Sequence, residues 1–334
     1  MDAVMPATMT AWRGTDYGPA HETMLSEVPM PTPGRGEVMV RVSAVSLSAG
    51  DVRLMLGDPL IVRPAFGLAR PKQPIRGIDV AGTVVAVGED VEADRVGEEV
   101  VVELAFGGGL AEFAIARADR LVGRPSELDP AIAATLLVSG GTAFQALELA
   151  GIGAGQRVLV LGGSGGVGTF TVQLAASRGA EVWATCGERN RALIESLGAT
   201  RTFDYRTTDV AALPGRGSFD AIIDIAGDTP LRQLKQLVTP VGTIVLVTGD
   251  GGPVLGPLPR MLRAALLSIG SRRRIRPFAA TPKRRVTGQL IALTLAGSIA
   301  PVIEREYPFD QADAALARVA SGRVVGKVVV RVRE

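Results

Sequence analysis

The feature that most constrains this fold is a glycine-rich turn between an apolar strand and an amphipathic helix. The strand is predicted at Arg157–Leu161 and the helix at Thr169–Arg178, and the turn has the pattern Gly163-x-Gly165-x-x-Gly168. The first glycine permits a tight turn, the second lets the backbone approach a pyrophosphate, and the third lets helix and strand pack closely. Exposed N–H groups and the helix dipole then favour phosphate. The motif predicts a dinucleotide site, and a purely structural turn is the less favoured alternative.

Beyond this turn, predicted strands and helices alternate. Strands are predicted at Glu181–Cys186, Arg201–Tyr205, Phe219–Ile225 and Thr243–Val247, and a helix at Asn190–Leu197. Such alternation is typical of a doubly wound parallel sheet with helices on both faces. The domain begins at Asp129-Pro130, because aspartate is a good N-cap and proline a good first helical residue. We therefore predict a dinucleotide-binding domain with a parallel sheet over residues 129–278.

The residues before this boundary carry β signals. Glu37–Val42 alternates as a half-buried strand does, and Asp79–Gly88, Val100–Glu103 and Ala111–Ile115 follow as strands. They predict a compact, mostly antiparallel unit over residues 1–128. The final strand, Lys327–Val332, is assigned to the same unit, which makes that domain discontinuous, with residues 279–334 as its second part. The predicted class is thus α/β, with a β-rich domain beside a parallel-sheet domain.

Two helical segments carry further expectations. The helix over Ala131–Val138 is expected to be interrupted at Ser139-Gly140-Gly141 and to resume over Thr142–Leu149. Pro259–Ile269 has the pattern of an amphipathic helix and opens a stretch from Arg260 to Arg285 that holds nine cations and no acid. This basic stretch could form a lid, a dimer contact or a patch for anionic surfaces. The simplest interpretation is a helix packed over the cofactor domain with its charges in water. Aromatic residues are not interleaved with the cations, so nucleic-acid binding is disfavoured.

Composition excludes several classes of protein. No run of roughly 18 apolar residues is present, so a membrane span is not expected. The start of the sequence, Met1–Thr10, lacks the basic and apolar regions of a secretory signal, and we expect a cytoplasmic protein. A single cysteine, Cys186, excludes an internal disulfide. With His21 as the one histidine, the chain lacks the nitrogen and sulfur ligands of tetrahedral zinc sites. We expect His21 at the surface and Cys186 as a buried thiol rather than a nucleophile.

The end of the second predicted strand indicates which dinucleotide is bound. An acid at this position usually accepts the ribose hydroxyls of NAD, and here Thr185 occupies it. Arg189 follows closely, and a guanidinium binds a 2′-phosphate in a forked geometry. Glu188 is the residue that argues against a 2′-phosphate, because it could bind a ribose hydroxyl; alternatively, it could face solvent. The sequence therefore favours NADP(H).

Further motifs give the chain a family resemblance. It resembles the zinc-independent, quinone-oxidoreductase-like branch of the medium-chain dehydrogenase/reductases, and within it bacterial NAD(P)-dependent alcohol dehydrogenase-like proteins related to the reticulon-interacting mitochondrial oxidoreductase. The motifs that carry the resemblance, besides the glycine turn, are Ser46-Leu47-Ser48-Ala49-Gly50-Asp51, Gly77-Ile78-Asp79-Val80-Ala81-Gly82, Gly141-Thr142-Ala143, Leu197-Gly198-Ala199, Phe203-Asp204-Tyr205 and Gly326-Lys327-Val328. The resemblance implies a GroES-like catalytic domain, a Rossmann domain, a cofactor in the cleft between them and a homodimer.

The resemblance also assigns cofactor contacts by position. Thr142 would lie by the nicotinamide, and the turn Gly163-Ser164-Gly165-Gly166-Val167-Gly168 would hold the pyrophosphate. Contacts near the 2′-phosphate are implied for Gly187, Arg189, Asn190 and Tyr205. Contacts along the adenine-ribose and nicotinamide parts of the cofactor are implied for Ala226, Gly227, Val247, Thr248 and Gly249. Lys327 lies in the tail that returns to the cofactor.

The predicted chemistry follows from what the chain lacks. Where zinc-dependent relatives have a cysteine and a His-Glu pair, this sequence has Ser48 and Ile78-Asp79. Without zinc there is no Lewis acid, so the substrate should already be activated, as a quinone or an α,β-unsaturated carbonyl is. Ser48 is the candidate donor to the developing oxyanion, although the family more often has asparagine, and an ordinary loop serine is the alternative. Asp51 matches the family aspartate but could merely cap the short helix at Val52–Leu56.

Three functions remain open from the sequence. The leading hypothesis is an NADPH-dependent reductase of quinones or enones, acting on a small molecule with hydride delivered directly to carbon. The second is an NADPH-binding sensor or scaffold protein without turnover, because Ser48 replaces the amide and no acid–base residue is evident. The third is an alcohol dehydrogenase or carbonyl reductase, which would require a metal.

Overall fold

The computed structural model describes residues 6–247 and 251–333. Its strands, in chain order, are β1 (Thr8–Arg13), β2 (Met24–Pro29), β3 (Glu37–Leu47), β4 (Asp79–Val87), β5 (Glu99–Glu103), β6 (Phe113–Arg117), β7 (Val122–Gly123), β8 (Arg157–Leu161), β9 (Glu181–Cys186), β10 (Arg201–Asp204), β11 (Phe219–Asp224), β12 (Val238–Leu246), β13 (Arg274–Pro277), β14 (Ile303–Pro308) and β15 (Lys327–Arg331).

Its α-helices, in chain order, are α1 (Ala49–Leu56), α2 (Arg63–Phe66), α3 (Pro130–Thr135), α4 (Gly141–Ala150), α5 (Gly166–Ser177), α6 (Arg191–Ser196), α7 (Leu231–Leu237), α8 (Leu258–Ser268), α9 (Arg284–Leu295) and α10 (Ala312–Ala320).

The first sheet forms the β-rich domain. It has the strand order β14-β15-β3-β4-β5-β7, with β6 also paired to β3. The strands pair antiparallel except for β14 and β15, which run parallel. The final strand β15 pairs with β3, which confirms that the tail returns to this sheet.

The second sheet is parallel throughout, with the strand order β10-β9-β8-β11-β12-β13. Its order reverses at β8, which lies between β9 and β11. In such sheets, ligands bind beyond the carboxyl ends of the strands at the point of reversal. The glycine turn follows β8 and therefore lies at this point. The predicted combination of a β-rich domain with a parallel-sheet domain is confirmed.

One buried apolar cluster joins the two sheets, because it contains Ala81 of β4 and Val101 of β5 together with residues of the parallel sheet. Val286, Leu290 and Ile291 of α9 belong to the same apolar cluster as Val158 of β8 and Phe170 of α5. Although α9 falls in the predicted second part of the first domain, its apolar face thus packs against the parallel-sheet domain. The predicted ranges 1–128 with 279–334, and 129–278, stay a prediction.

The predicted interruption at Ser139-Gly140-Gly141 is wrong. A π-helical turn, Leu136–Gly140, joins α3 to α4 without a break. Glycines have no side chain to obstruct this wider turn. The turn also places the Val138 N–H 3.3 Å from both carboxylate oxygens of Asp79, which accept its hydrogen bond.

Two other helices bear on the expectations from sequence. The helix α5 begins at Gly166, three residues before the predicted start, because glycines in its first turn hide the helical period. The span Pro130–Ala150 is long and apolar enough to cross a membrane, but 72% of its most apolar window is buried inside the protein. This span is therefore accounted for as a core helix.

Candidate active site

The glycine turn has the close packing that its sequence predicts. Gly162 adopts a φ of +87°, which favours glycine, and its carbonyl oxygen would overlap a Cβ placed on Gly168. The same Cβ would lie 2.7 Å from the Gly163 carbonyl oxygen. A Cβ on Gly165 would meet nothing closer than 3.7 Å, so this backbone is open to a ligand. The turn therefore fits a pyrophosphate beside the N-terminus of α5.

A cavity of about 630 Å³ lies at this turn. The predicted cofactor residues that line it are Ser164, Gly165, Gly187, Arg189, Asn190, Tyr205 and Ala226. They come from the turns that follow β8, β9, β10 and β11, which meet at the same edge of the parallel sheet. The structure thus brings residues from four separate segments of the chain to one site.

Other predicted cofactor residues lie behind this surface or outside it. The remaining residues of the turn are Gly163, Gly166, Val167 and Gly168, and the further predicted residues are Gly227, Val247 and Lys327; none is among the lining residues of this cavity. Thr248 and Gly249 lie outside the described residues. All these cofactor assignments stay predictions.

The strand-end residue Thr185 has a structural role. Its hydroxyl accepts a hydrogen bond from the Gly162 N–H at 3.0 Å, and its carbonyl oxygen accepts one from the Gly163 N–H at 2.8 Å. Glu188, whose carboxylate argued against a 2′-phosphate, pairs with Arg191 at 3.3 Å and does not line the cavity. No carboxylate from this strand end therefore faces the expected ribose position.

Among the cavity residues that the sequence analysis did not predict are two arginines. Arg206 and Arg323 line the cavity together with Arg189. The Arg206 guanidinium lies 5.0 Å from the centre of the Tyr205 ring. Arg189 Nη2 donates to the carbonyl oxygen of Arg323 at 3.4 Å, which links the β9 end to the returning tail. Arg206 directly follows a predicted residue, but nothing in the local pattern indicated that residue 323 would reach this cavity.

The turn after β11 is fixed by a buried ion pair. Asp224 is 1% exposed, and its carboxylate accepts hydrogen bonds from the Gly227 N–H at 3.0 Å and from Arg260 Nη2 at 2.6 Å. Burial raises the pKa of Asp224, while these two donors oppose that shift. The predicted residues Ala226 and Gly227 are held in place by this pair.

A second cavity, of about 780 Å³, lies beside Thr142. Its lining includes Leu137, Val138, Gly141 and Thr142 from the π-helical turn and α4, Glu103 from the end of β5, Asp119 and Arg120 from the segment after β6, and residues 280–284 before and at the start of α9. Thr142 was predicted to lie by the nicotinamide. The cavity combines apolar walls with charged residues at its edges, as sites for small ligands commonly do.

Ser48 and Asp51 form a local hydrogen-bonded unit at the start of α1. The Ser48 hydroxyl donates to the Asp51 carboxylate at 3.0 Å, and the Ser48 N–H donates to the same oxygen at 2.8 Å. The other Asp51 oxygen accepts from the N–H groups of Gly77 at 3.1 Å and Ile78 at 2.9 Å. Burial raises the pKa of Asp51, against these donors. Asp51 thus caps α1 and links it to the turn before β4. The hydroxyl hydrogen of Ser48 is already used in the hydrogen bond to Asp51.

Lys327 and Asp79 lie in the buried seam between the domains. Lys327 is 2% exposed, and its ammonium donates to the Ser139 hydroxyl at 2.9 Å. Its Cδ would lie 3.1 Å from a Cβ on Gly166, so it packs directly behind the glycine turn. Burial raises the pKa of Asp79 and lowers that of Lys327, and the attraction between their charges opposes both shifts. Lys327 therefore supports the turn from behind.

Within residues 6–247 and 251–333, no group of three or more His, Cys, Asp and Glu side chains is placed to hold a metal ion. His21 is exposed, as expected. Cys186 is buried, and burial raises the pKa of its thiol to about 11. A thiol with this pKa is protonated at neutral pH and is not a ready nucleophile.

Comparisons with known proteins agree with this architecture. Residues 34–126 match the family described as "Alcohol dehydrogenase GroES-like domain", and residues 197–330 match "Zinc-binding dehydrogenase". The chain is 36% identical to a chloroplast envelope quinone oxidoreductase homolog of Arabidopsis thaliana over 91% of this chain and 92% of that protein. It is 31% identical to a 2-methylene-furan-3-one reductase of Solanum lycopersicum, over 98% and 80% of the two chains.

A solved structure shows the same arrangement. The quinone oxidoreductase from Coxiella burnetii superposes with a TM-score of 0.86 at 27% identity, covering 98% of this chain and 100% of that one. The fold and site define a two-domain oxidoreductase that binds a nicotinamide cofactor. The chain belongs to the medium-chain dehydrogenase/reductase superfamily, in its quinone oxidoreductase-like branch. It is accordingly an NAD(P)H-dependent enzyme that acts on a small molecule.

The close packing at Gly168 yields a stability prediction. Gly168→Ala should lower the free energy of unfolding by on the order of 1–3 kcal/mol, because its methyl group collides with backbone that cannot rotate away. Gly288→Ala is the control: this residue lies inside α9 with nothing within 4 Å of the added Cβ, and alanine should stabilise the helix by roughly 1 kcal/mol. Urea unfolding measures both. Equal stability of the Gly168→Ala variant and the unmodified protein would contradict the packing described.

Proposed function

We propose that this protein is a zinc-independent, NADPH-dependent oxidoreductase that transfers hydride to a quinone or an α,β-unsaturated carbonyl compound. The observation that carries the proposal is the cavity at the glycine turn, where the strand end offers Thr185 instead of an acid and three guanidinium groups line the wall. A phosphorylated ribose suits this cavity better than a free diol.

Charge supports NADPH over NADH. Arg189, Arg206 and Arg323 are exposed at the cavity, where each can donate to a phosphate in the forked geometry of a guanidinium. Two carboxylates, Asp209 and Asp228, line the same cavity. Asp209 already accepts a hydrogen bond from the Ala211 N–H at 2.9 Å, as the cap of a short helical turn.

Removing one guanidinium should change the preference between cofactors. In Arg206→Ala, the Kd for NADPH should rise about tenfold or more, since a charged hydrogen bond contributes roughly 1.5–3 kcal/mol. The Kd for NADH should change little, because NADH has no 2′-phosphate. Fluorescence titration measures both constants. The control is Arg216→Ala, an arginine outside the cavity whose guanidinium contacts Gln236. Equal losses for both cofactors would count against a 2′-phosphate contact at Arg206.

The ligand chemistry supports a reaction without zinc. The positions that correspond to the catalytic ligands of zinc-dependent relatives hold Ser48, Ile78 and Asp79, and Asp79 is engaged by Val138 and Lys327. The chain offers one exposed histidine and one buried cysteine, distant in sequence from these positions. Tetrahedral zinc sites are built from nitrogen and sulfur ligands that are absent here.

The lack of zinc ligands determines which kind of substrate we propose. When bound, the reduced nicotinamide supplies a hydride. Without a metal to polarise a carbonyl, an electron-poor carbon is required, such as that of a quinone or an enone. Relatives of this chain are named as quinone oxidoreductases, an alkenal/one oxidoreductase and a 2-methylene-furan-3-one reductase. The cavity beside Thr142 is the proposed substrate site, with its apolar wall at Leu137 and Val138.

A substrate panel tests this function. NADPH oxidation should occur with small quinones or enones, should persist after dialysis against a chelator, and should be slower with NADH. Simple alcohols with NADP⁺ should give no reaction. Tight NADPH binding without turnover on any quinone or enone would instead favour the sensor or scaffold function, which the engaged Ser48 hydroxyl makes reasonable. Stoichiometric zinc with alcohol oxidation would favour an alcohol dehydrogenase.

We also propose a homodimer, formed through α8 and the edge of the parallel sheet. On α8, Ala264 faces inward, whereas Leu262 and Leu266 are 67% and 68% exposed, and Ile269, directly after the helix, is 77% exposed. In the part of the chain that the structure describes, β13 pairs with β12 along one side and leaves its other side open. A second copy would cover both the apolar stripe and the open edge.

The double variant Leu262→Ser/Leu266→Ser should therefore shift the protein from dimer to monomer in size-exclusion chromatography with light scattering, because it removes the apolar surface that a second copy would bury. Leu295→Ser, at a leucine that is 43% exposed on α9, is the control and should remain dimeric. A monomeric unmodified protein, or a double variant with unchanged mass, would reject this interface.

A cytoplasmic location stays a prediction.

A further inference from the structure

We propose that Glu103 is the general acid of this enzyme, delivering the proton that follows hydride transfer to the substrate in the cavity beside Thr142. The proposal rests on the proposed reductase function and adds a catalytic residue to it. Sequence reasoning found no proton carrier, because Glu103 ends an apolar strand and has no motif around it. Only the folded structure shows that Glu103 lines the cavity beside Thr142.

Glu103 is placed where a proton is needed. It is the last residue of β5, opposite Asp79 of β4 in the antiparallel register. Its side chain lines the same cavity as Val138 and Thr142. It is half-buried, so it can face a ligand without being freely solvated. Glu103 and the predicted nicotinamide residue Thr142 therefore line one and the same cavity.

The carboxyl of Glu103 is also available. Among residues 6–247 and 251–333, no hydrogen bond or ion pair engages its oxygens. The other buried acids near these sites are engaged: Asp51 by Ser48, Asp79 by Val138, and Asp224 by Arg260. A carboxyl without a partner inside a cavity is free to donate to a ligand.

The surroundings of Glu103 bring its titration close to neutral pH. Burial raises the pKa of Glu103 to about 6, the negative charge of Asp51 adds to this rise, and Arg120 opposes it. Asp79 faces it from β4, and the same cavity holds the charged residues Asp119, Lys283 and Arg284. A general acid works best when its pKa lies near the working pH. Glu103 meets this condition, whereas a serine or threonine hydroxyl does not.

The proton balance of the reaction is complete with this residue. For an enone, hydride from NADPH forms a C–H bond at the β-carbon, the C=C electron pair moves toward the carbonyl, and an enolate results. The Glu103 O–H bond then breaks, and its proton completes the saturated ketone. For a quinone, the same proton completes the hydroquinone. NADPH is oxidised to NADP⁺, and the Glu103 carboxylate recovers its proton from solvent.

The pH dependence of kcat/KM tests this role. In the unmodified protein kcat/KM should fall about tenfold per pH unit above the Glu103 pKa of about 6, because only the protonated acid donates. In Glu103→Gln this pH dependence should disappear, and kcat/KM at about pH 6 should drop by on the order of 10²-fold. The NADPH Kd should stay unchanged. Glu103→Asp should retain a titration with reduced rate, which guards against a loss of folding.

Glu98→Gln is the matched control, because Glu98 lies just before β5 and outside both cavities, and its side chain is 42% exposed and pairs with Arg95. It should retain the unmodified pH profile. A second readout does not depend on turnover. The infrared difference spectrum between the unmodified protein and Glu103→Gln should show a protonated carboxylic acid band that disappears with a midpoint near pH 6.

The outcomes separate two failures. If the unmodified protein reduces no quinone or enone, the proposed function fails, and the assignment of Glu103 as its acid fails with it even if the infrared titration is seen. If the unmodified protein is active but Glu103→Gln keeps the same rate and pH profile, the general-acid role alone is overturned. Loss of the pH dependence in Glu98→Gln and not in Glu103→Gln would likewise overturn it.

Discussion

The contact on which the rest of this structure depends is the approach of the first turn of α5 to the backbone that follows β8. It is possible because Gly168 has no Cβ to collide with the carbonyl groups of Gly162 and Gly163. This approach brings the N-terminus of a helix to the point where the strand order of the parallel sheet reverses. Anion binding, dinucleotide geometry and the position of the cavity all follow from that one backbone contact.

The catalytic domain is joined to this turn by buried polar groups rather than by apolar contact alone. Lys327, from the strand that returns to the first sheet, packs behind Gly166 and donates to Ser139 of the π-helical turn. Asp79, from the same sheet, accepts the Val138 N–H that the π-helical turn presents. Lys327 and Asp79 are both buried and carry opposite charges that attract each other, so removing either charge would leave the other buried without compensation, which is strongly unfavourable. These groups connect the glycine turn to the wall of the cavity beside Thr142.

The features that could be predicted from the sequence are those that local patterns encode. The glycine turn, the alternation of strands and helices, the neutral strand end at Thr185 and the exposed position of His21 could all be predicted, because each depends on neighbouring residues. Arg323 and Glu103 could not, since their roles arise when segments far apart in sequence meet at one cavity. The π-helical turn escaped prediction because glycines permit a break and a wider turn equally well.

Two other features show the same limit. The amphipathic pattern of α8 predicted a helix packed over the cofactor domain with its charges in water. The helix is present, but Leu262 and Leu266 are exposed, whereas Arg260 pairs with the buried Asp224. For Ser48 the sequence left a catalytic donor and an ordinary loop serine open, and for Asp51 a catalytic and a capping role. The hydrogen bonds of the structure engage both side chains in the cap of α1. Their catalytic assignment stays a prediction, and Glu103 offers the proton that Ser48 does not.

The measurement that tests the central claim most directly is the binding of two fragments of the cofactor. Adenosine 2′,5′-bisphosphate and adenosine 5′-monophosphate differ only in the 2′-phosphate, which we propose is bound by Arg189, Arg206 and Arg323 in the wall of this cavity. Calorimetric titration of the unmodified protein should give at least about tenfold tighter binding of the bisphosphate, with the difference shrinking as salt is added. Equal affinities for the two fragments, or no binding of either, would contradict the account of this cavity as an NADP(H) site.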